Sequence, residues 1–416
     1  MERYVDPSAL EGTVNAPTSK SMTQRAIAAA LLADGESIIL NPSYCDDSLA
    51  AMSMAVGLGA RVEPQVNEMK IIGSATLKES KLNCGESGLA IRMFSPIAAL
   101  YQAEITLVGA NSLKKRPMFM IEEALNQLGV KCTSTGGFLP LTIQGPLVGG
   151  YCEIDGSVSS QLLTGLLMAL PLASKSSEIK VSNLKSKPYI DMTIQILKYF
   201  GINVENKEYN LFHIPGNQKY MPNRYTVEGD WSGGAFLLIA AAINGHLIVK
   251  GLRKDSLQSD MSVIQALEKA GARMIFSDDT IEISKTVLKA FDFDATESPD
   301  LFPPLVALAT YCEGISSIKG VSRLMFKESD RAKTLQEEFA KLKVKIDIHD
   351  DTMFVTGSRP QAARVESHDD HRIAMALAVT ALGATGRIYI RDSQCVAKSY
   401  PGFFDDLRQI GASVHE

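Results

Sequence analysis

The chain has 416 residues, which suits two domains or a large repeat assembly better than one ordinary core. A hydrophobic content of 45% with 21% charged residues permits a full globular interior, and a formal net charge of −5 gives no positive field to draw nucleic acid or an anionic membrane. No apolar run reaches the roughly 18–20 residues of a membrane span, and the opening MERYVDPSAL carries charges where a signal peptide is apolar. Six scattered cysteines (Cys45, Cys84, Cys132, Cys152, Cys312, Cys395) form no CxxC pair. A cytosolic protein with buried, reduced thiols is expected.

After an N-terminal strand, the polar cluster TSKSMTQR (18–25) opens an apolar helix rich in Ala and Leu. An amphipathic helix follows and ends in AMSMAVGLGARVE, where glycine comes just after the last turn, as a left-handed C-cap requires. A strand, the turn VNEM and a second strand complete the unit. The same order then recurs. GESGLAIR (85–92) precedes MIEEALNQLGVKC with the turn TGGF, and SVSSQLLTG (157–165) precedes TIQILKYFGINVE with NKEY. DWSGGAF (230–236) leads to VIQALEKAGARMI with SDDT, and SPDLFPPL (298–305) to LQEEFAKLKVKID with HDDT. HDDHRIAM (368–375) leads to FFDDLRQIGASVH at the C-terminus.

The landmarks Ala60, Val130, Ile202, Ala272, Val344 and Ala412 are separated by 70, 72, 70, 72 and 68 residues. The cluster landmarks Ser21, Gly88, Ser160, Ser232, Asp300 and Asp370 keep step, at 67, 72, 72, 68 and 70. Two series in phase predict six α/β units. The fifth copy carries Lys343 where the others have glycine. A period near 70 is too long for a solenoid and suits small α/β units packed about pseudo-symmetry axes.

The helices that start at the clusters are apolar on nearly every side and should be buried. Helix N-termini offer unpaired N–H groups and a partial positive charge, so they favour anions. Ser, Thr and Asp at such places also serve as ordinary N-caps. Capping does not require Lys20, Arg25, Arg92 or His371-Arg372, and a buried guanidinium needs a partner. Further cations stand in LKKRPMFM (Lys114, Lys115, Arg116), FKESDRAKT (Lys327, Arg331) and CVAKSYPG (Lys398). Such runs are usually solvated, and Lys327-Glu328 reads equally as a surface pair. If the helix starts converge, they would hold a multiply charged small molecule, with Arg forks on carboxylate or phosphate.

The segments PTSKSMTQRA, LKKRP, DGSVSSQ, SKPYIDMT, EGDWSGG, FKESDR, DDHRIAMA and CVAKSYPGFF resemble the signature blocks of the EPSP synthase family of enolpyruvyl transferases. They run in the expected order from about residue 11 to the C-terminus. The resemblance implies an α/β, two-domain enolpyruvyl-transferase fold of six βαβαββ units, three per domain around a pseudo-threefold axis. One domain would be residues 19–228, and the other would join 1–18 to 229–416, with the active site in the cleft between them. The implied reaction moves the enolpyruvyl group of phosphoenolpyruvate to the 5-hydroxyl of shikimate 3-phosphate, with no metal or organic cofactor, in a cytoplasmic monomer that binds neither nucleic acid nor membrane.

Residue by residue, the resemblance places Lys20, Ser21, Arg25, Ser159, Ser160, Gln161, Ser186, Tyr189, Asp300 and Lys327 on shikimate 3-phosphate. It places Lys20, Gly88, Arg116, Gln161, Arg331, Arg372 and Lys398 on phosphoenolpyruvate. Asp300 would take the proton of the 5-hydroxyl, and Glu328, with Lys20 or Lys398 nearby, would protonate the methylene carbon. Thr18, Glu86, Leu89 and Met93 depart from the family pattern, which usually has Gly, an amide, Thr and Pro there. Glu86 either weakens binding of phosphoenolpyruvate or the herbicide glyphosate, or is paired with an arginine. Two alternatives stand beside the main expectation. The sister transferase acting on UDP-N-acetylglucosamine usually has a cysteine where this chain has Asn111, and a non-catalytic relative would bind anions without turnover.

Overall fold

The computed structural model describes residues 1–157, 159–325 and 327–416. The chain divides into two compact units, Thr18–Val227 and Met1–Pro17 together with Glu228–Glu416. Among the described residues each unit holds three four-stranded sheets.

The six amphipathic helices end alike. The residue after each C-cap is left-handed: Gly59, Gly129, Gly201, Gly271, Lys343 and Gly411 have φ of 118°, 80°, 80°, 80°, 65° and 105°. The next amide closes a six-residue ring onto the helix. Ala60 N–H donates to Ala55 O at 3.0 Å, and Val130, Ile202, Ala272, Val344 and Ala412 donate to Leu125, Leu197, Leu267, Phe339 and Leu407 at 2.9–3.0 Å. This Schellman geometry satisfies orphan carbonyls and turns the chain into the hairpin that follows. Lys343 therefore keeps the turn of its copy despite having a Cβ, which ordinarily disfavours this conformation.

Three sheets take all their strands from one copy. In the sheet containing Tyr151–Asp155, that strand runs parallel to Ser177–Ser182, which pairs antiparallel with the hairpin strand Leu211–Ile214. Two copies exchange their first strand. Leu10–Asn15 precedes the first buried helix in sequence but lies parallel to Gly245–Lys250 of the fourth copy. Arg224–Thr226 in turn lies parallel to Glu36–Leu40 of the first copy. The sixth copy has one C-terminal strand, Ser413–His415, and its missing hairpin strand is supplied by Glu2–Asp6, which also pairs with Ile388–Arg391.

The helices starting at the polar clusters are Lys20–Leu32, Gly88–Ala98, Gln161–Ala169, Trp231–Asn244, Phe302–Thr310 and His371–Ala381, and nearly all their residues are buried. Small residues bring them close. A Cβ on Gly165 would lie 2.6 Å from Arg92 O and 2.8 Å from Met93 Cα, so the Gln161 helix meets the Gly88 helix backbone to backbone. That contact sets Gln161 beside the start of its neighbour. The six cysteines are free and buried, and burial pushes the thiols of Cys132, Cys152, Cys312 and Cys395 up to about 12, away from reactive thiolate.

Candidate active-site residues in each unit

In the unit Thr18–Val227, three buried helices present their first turns to one another. Ser19 caps the Lys20 helix by accepting from Met22 N–H at 3.4 Å, and Ser87 caps the Gly88 helix by accepting from Ala90 N–H at 3.2 Å. Ser87 Oγ also donates to Gln24 Oε1 at 3.2 Å, tying the first two helix starts. Arg92 Nη1 donates to Gly88 O at 3.2 Å and to Gln161 Oε1 at 3.0 Å, tying the second to the third.

Two guanidinium groups crowd Gly88. A Cβ there would lie 2.6 Å from Arg116 Nη1, 2.9 Å from Arg116 Cζ and 2.9 Å from Arg92 Nη1. Both arginines are almost wholly buried. Two cations at the positive end of a helix form a place where an anion is strongly favoured. Arg116 follows the short helix Asn111–Lys115, and the next helix begins at Phe119.

Lys20 Nζ pairs with Asp47 Oδ2 at 2.9 Å, both side chains about nine-tenths out of solvent. Asp47, from the first turn of the helix Asp46–Gly57, escaped the sequence reading because it looks like an ordinary acidic helix start. Arg25 meets neutral oxygens: Ser21 O and Thr193 Oγ1 at 2.9 Å, Tyr189 O at 3.3 Å and Thr164 Oγ1 at 3.4 Å. Burial lowers its pKa to about 10, partly opposed by Tyr189 and Tyr225. Arg25 therefore stands as a buried brace under the helix starts, joining Ser21 and Tyr189. Ser186, at the head of the helix Lys187–Tyr199, is left-handed at φ 58°, a strained setting for serine. Ser159 Oγ, rather than Ser160, accepts from Gln161 N–H at 3.2 Å.

The second cluster lies in the unit Met1–Pro17 with Glu228–Glu416 and centres on Asp300. Its Oδ1 accepts from Arg331 Nη1 at 2.8 Å and Lys327 Nζ at 3.2 Å, and its Oδ2 accepts from Arg372 Nη2 at 2.9 Å. Arg331 also donates through Nη2 to Glu328 Oε2 at 2.6 Å, and through Nε and Nη2 to Asp370 at 2.8 and 3.2 Å. Lys327 and Glu328 thus belong to a largely buried network rather than to a solvated face. Each binds a different member of the network.

Burial opposes the charges of Arg331 and Arg372. For Arg331, Asp370, Glu328 and Asp300 together outweigh it, and for Arg372, Asp300 with Asp260 and Asp230 does so despite Arg331 nearby, leaving both well above the ordinary arginine value. Lys327 is pulled down, chiefly by burial, against the attraction of Asp300. Lys398 Nζ holds Asp369 through its carbonyl at 2.7 Å and its carboxylate at 2.8 Å. Asp370 caps the His371 helix by accepting from Arg372 N–H at 3.0 Å, so cap and ion-pair partner are one carboxylate. At the head of the Trp231 helix, Ser232 Oγ donates to the buried Asp260 carboxylate. Ser262 and Ser298 hydroxyls meet at 3.2 Å beside the Asp300 turn.

The first unit offers a helix start at Gly88 crowded by two buried guanidiniums, and the second offers a carboxylate pair, Asp300 and Glu328, joined through Arg331. Sequence spacing alone missed Asp47, Asp260 and the second role of Asp370. Arg92 was visible as a cation at a helix start, though not as the bridge between Gly88 and Gln161.

A family model described as EPSP synthase (3-phosphoshikimate 1-carboxyvinyltransferase) matches residues 5–407. A relative named 3-phosphoshikimate 1-carboxyvinyltransferase from Methanocorpusculum labreanum is 39% identical, over 100% of this chain and 100% of the relative. One of the same name from Thermococcus kodakarensis is 38% identical over 96% and 98%. Among solved structures, EPSP synthase from Acinetobacter baumannii superposes with a TM-score of 0.84 at 26% identity, covering both chains fully. The enolpyruvyl transferase NikO from Streptomyces tendae shares the fold, at a TM-score of 0.80 and 17% identity, over 100% of this chain and 98% of its own.

Proposed function

Because the chain belongs to the EPSP synthase family, we propose that it transfers the enolpyruvyl group of phosphoenolpyruvate to the 5-hydroxyl of shikimate 3-phosphate, releasing phosphate. The observation that carries the residue assignment is the shared hold of Lys327, Arg331 and Arg372 on Asp300, with Glu328 on the same Arg331.

Lys20, Ser21, Ser159, Ser160, Gln161, Ser186, Tyr189 and Asp300 bind shikimate 3-phosphate, with Arg25 bracing them from beneath and Lys327 toward the ring hydroxyls. Lys20, Gly88, Arg116, Gln161, Arg331, Arg372 and Lys398 bind phosphoenolpyruvate. When its carboxylate and phosphate engage Arg331 and Arg372, Asp300 is released from part of its ion pairing and takes the 5-hydroxyl proton. The hydroxyl oxygen then bonds to C2 of phosphoenolpyruvate as Glu328 gives a proton to C3, forming a tetrahedral intermediate. Loss of a C3 proton with departure of phosphate restores the double bond. Protonating an enol carbon makes a cationic centre, which nearby carboxylates stabilise, while clustered cations offset repulsion between the two anionic substrates. We place this activity in the cytoplasm, in a monomeric chain.

Phosphate release with both substrates present tests the reading. Binding of both without phosphate would support a non-catalytic relative, and turnover with UDP-N-acetylglucosamine in place of shikimate 3-phosphate would favour the sister activity. Sedimentation of the purified chain as a dimer would remove the monomer.

A further inference from the structure

Glu86 stands two residues before Gly88. Its carboxylate is turned onto a neighbouring loop. Oε1 accepts from Asn111 Nδ2 at 2.9 Å, and Oε2 accepts from Ser112 Oγ at 2.9 Å and Ser112 N–H at 3.4 Å. One residue earlier, Gly85 O accepts from Ala110 N–H at 2.7 Å. The loop so held becomes the short helix Asn111–Lys115, whose C-cap is Arg116. Arg116 returns to the same stretch from the other side, its guanidinium packed over Gly88. Segment 85–88 therefore grips the loop at its start through Glu86 and receives its end through Arg116.

This geometry has two physical effects. Arginine has many rotamers, and fixing the backbone from which it springs lowers the entropy lost when its fork closes on an anion. A carboxylate so close to an anion site would also oppose binding if it faced the ligand, and three donors from Asn111 and Ser112 direct it onto the loop instead.

We propose that Glu86 is a positioning residue that latches the 110–112 segment and thereby holds the Arg116 guanidinium over Gly88. This rests on the assignment of Arg116 to phosphoenolpyruvate made above. The latch is charge-assisted, the Glu86 carboxylate taking three donors from Asn111 and Ser112.

Steady-state kinetics of Glu86→Ala, Glu86→Gln, Ser112→Ala and the Glu86→Ala/Ser112→Ala pair test it, with Arg116→Ala as reference. Glu86→Ala is expected to raise KM for phosphoenolpyruvate about 5- to 20-fold, with kcat and KM for shikimate 3-phosphate changed less than about 2-fold. Ser112→Ala should show part of that rise, the double variant no more than Glu86→Ala alone, and Glu86→Gln, which keeps an acceptor oxygen for Ser112, should recover most of it. Amide exchange across 110–116 should quicken in Glu86→Ala without substrate, a readout that does not depend on turnover. A lower KM for phosphoenolpyruvate in both Glu86 variants would overturn the latch and show the carboxylate acting on the ligand directly. Additive effects of Glu86→Ala and Ser112→Ala would overturn it too. If Arg116→Ala leaves that KM unchanged, the Arg116 assignment fails instead, and exchange at 110–116 still reports on the clamp.

Discussion

Arg331 and Asp370 form a two-pronged ion pair, Nε and Nη2 reaching the carboxylate at 2.8 and 3.2 Å, with neither side chain exposed by more than 1%. Asp370 also caps the His371 helix, so one carboxylate fixes the direction of a helix and the plane of a guanidinium. Breaking a buried pair by neutralising one member leaves the other charge uncompensated, which costs about 3–5 kcal/mol. Asp370→Asn keeps a good cap and loses the charge, and is expected to lower stability by roughly that range, discounted for Glu328 and Asp300, which still neutralise Arg331. Denaturant titration measures it. A loss below the ordinary range of cap substitutions would mean the pairing carries little.

Asp300→Asn keeps one acceptor oxygen, enough for Lys327 and Arg331 on one side or Arg372 on the other, and removes the proposed base. Turnover should fall by on the order of 10²–10⁴, with shikimate 3-phosphate affinity nearly intact by calorimetry. Near wild-type kcat would remove Asp300 from its role.

Gly88→Ala puts a methyl group where the Arg116 and Arg92 guanidiniums now lie. These are the far ends of flexible side chains, so the fold should survive while the anion site is displaced. KM for phosphoenolpyruvate should rise by about tenfold or more, as for loss of a charge-assisted contact, with the melting temperature little changed. An unaltered KM counts against the anion site over Gly88.

Burial, then the charge of Asp300, push Asp260 up to about 6 from an ordinary 3.8, although Arg372 and the Ser232 hydroxyl pull the other way and Asp230 adds to the rise. A carboxyl raised on folding holds its proton more tightly in the native state than in the unfolded chain. Its contribution is therefore fully present below its ordinary value and is lost as pH rises through about 6. Asp260→Asn should raise the melting temperature relative to the parent near pH 7.5, and the gain should shrink toward about pH 4.5. A pH-independent difference would mean Asp260 does not titrate in this window.

Lys343 occupies a left-handed turn at φ 65° that five other copies give to glycine. The conformation costs a residue with Cβ roughly 1–2 kcal/mol, partly returned by the lower entropy of the unfolded lysine chain. Lys343→Gly is expected to stabilise by about 0.5–1 kcal/mol, read as a higher denaturant midpoint at unchanged slope. Destabilisation would mean the lysine side chain contributes more than its backbone costs.

The repeat was legible because helix caps and turns are local devices. Six Schellman ends and five hairpins sit where glycines and turn residues announce them, and even Lys343 is betrayed by its spacing. The strand exchange between the first and fourth copies was not legible in the same way. Leu10–Asn15 and Arg224–Thr226 have strand-like sequences that fit either sheet, and only tertiary pairing decides between them. At the candidate site, cations declared themselves because Arg and Lys are out of place at the head of an apolar helix. Their carboxylate partners did not, because Asp47 and Asp370 look like ordinary helix-start residues and the neighbours of Asp260 come from other segments.

The sixth sheet is assembled from both ends of the chain, with Glu2–Asp6 lying between Ile388–Arg391 and Ser413–His415. A ribosome makes the first of these strands long before its two neighbours. Glu2–Asp6 must therefore wait for its place until Ile388–Arg391 and Ser413–His415 are made, while Thr18–Val227 has every strand of its three sheets in hand once Thr226 is made. A tag fused ahead of Met1 would extend from a strand enclosed on both sides, not from a loose tail.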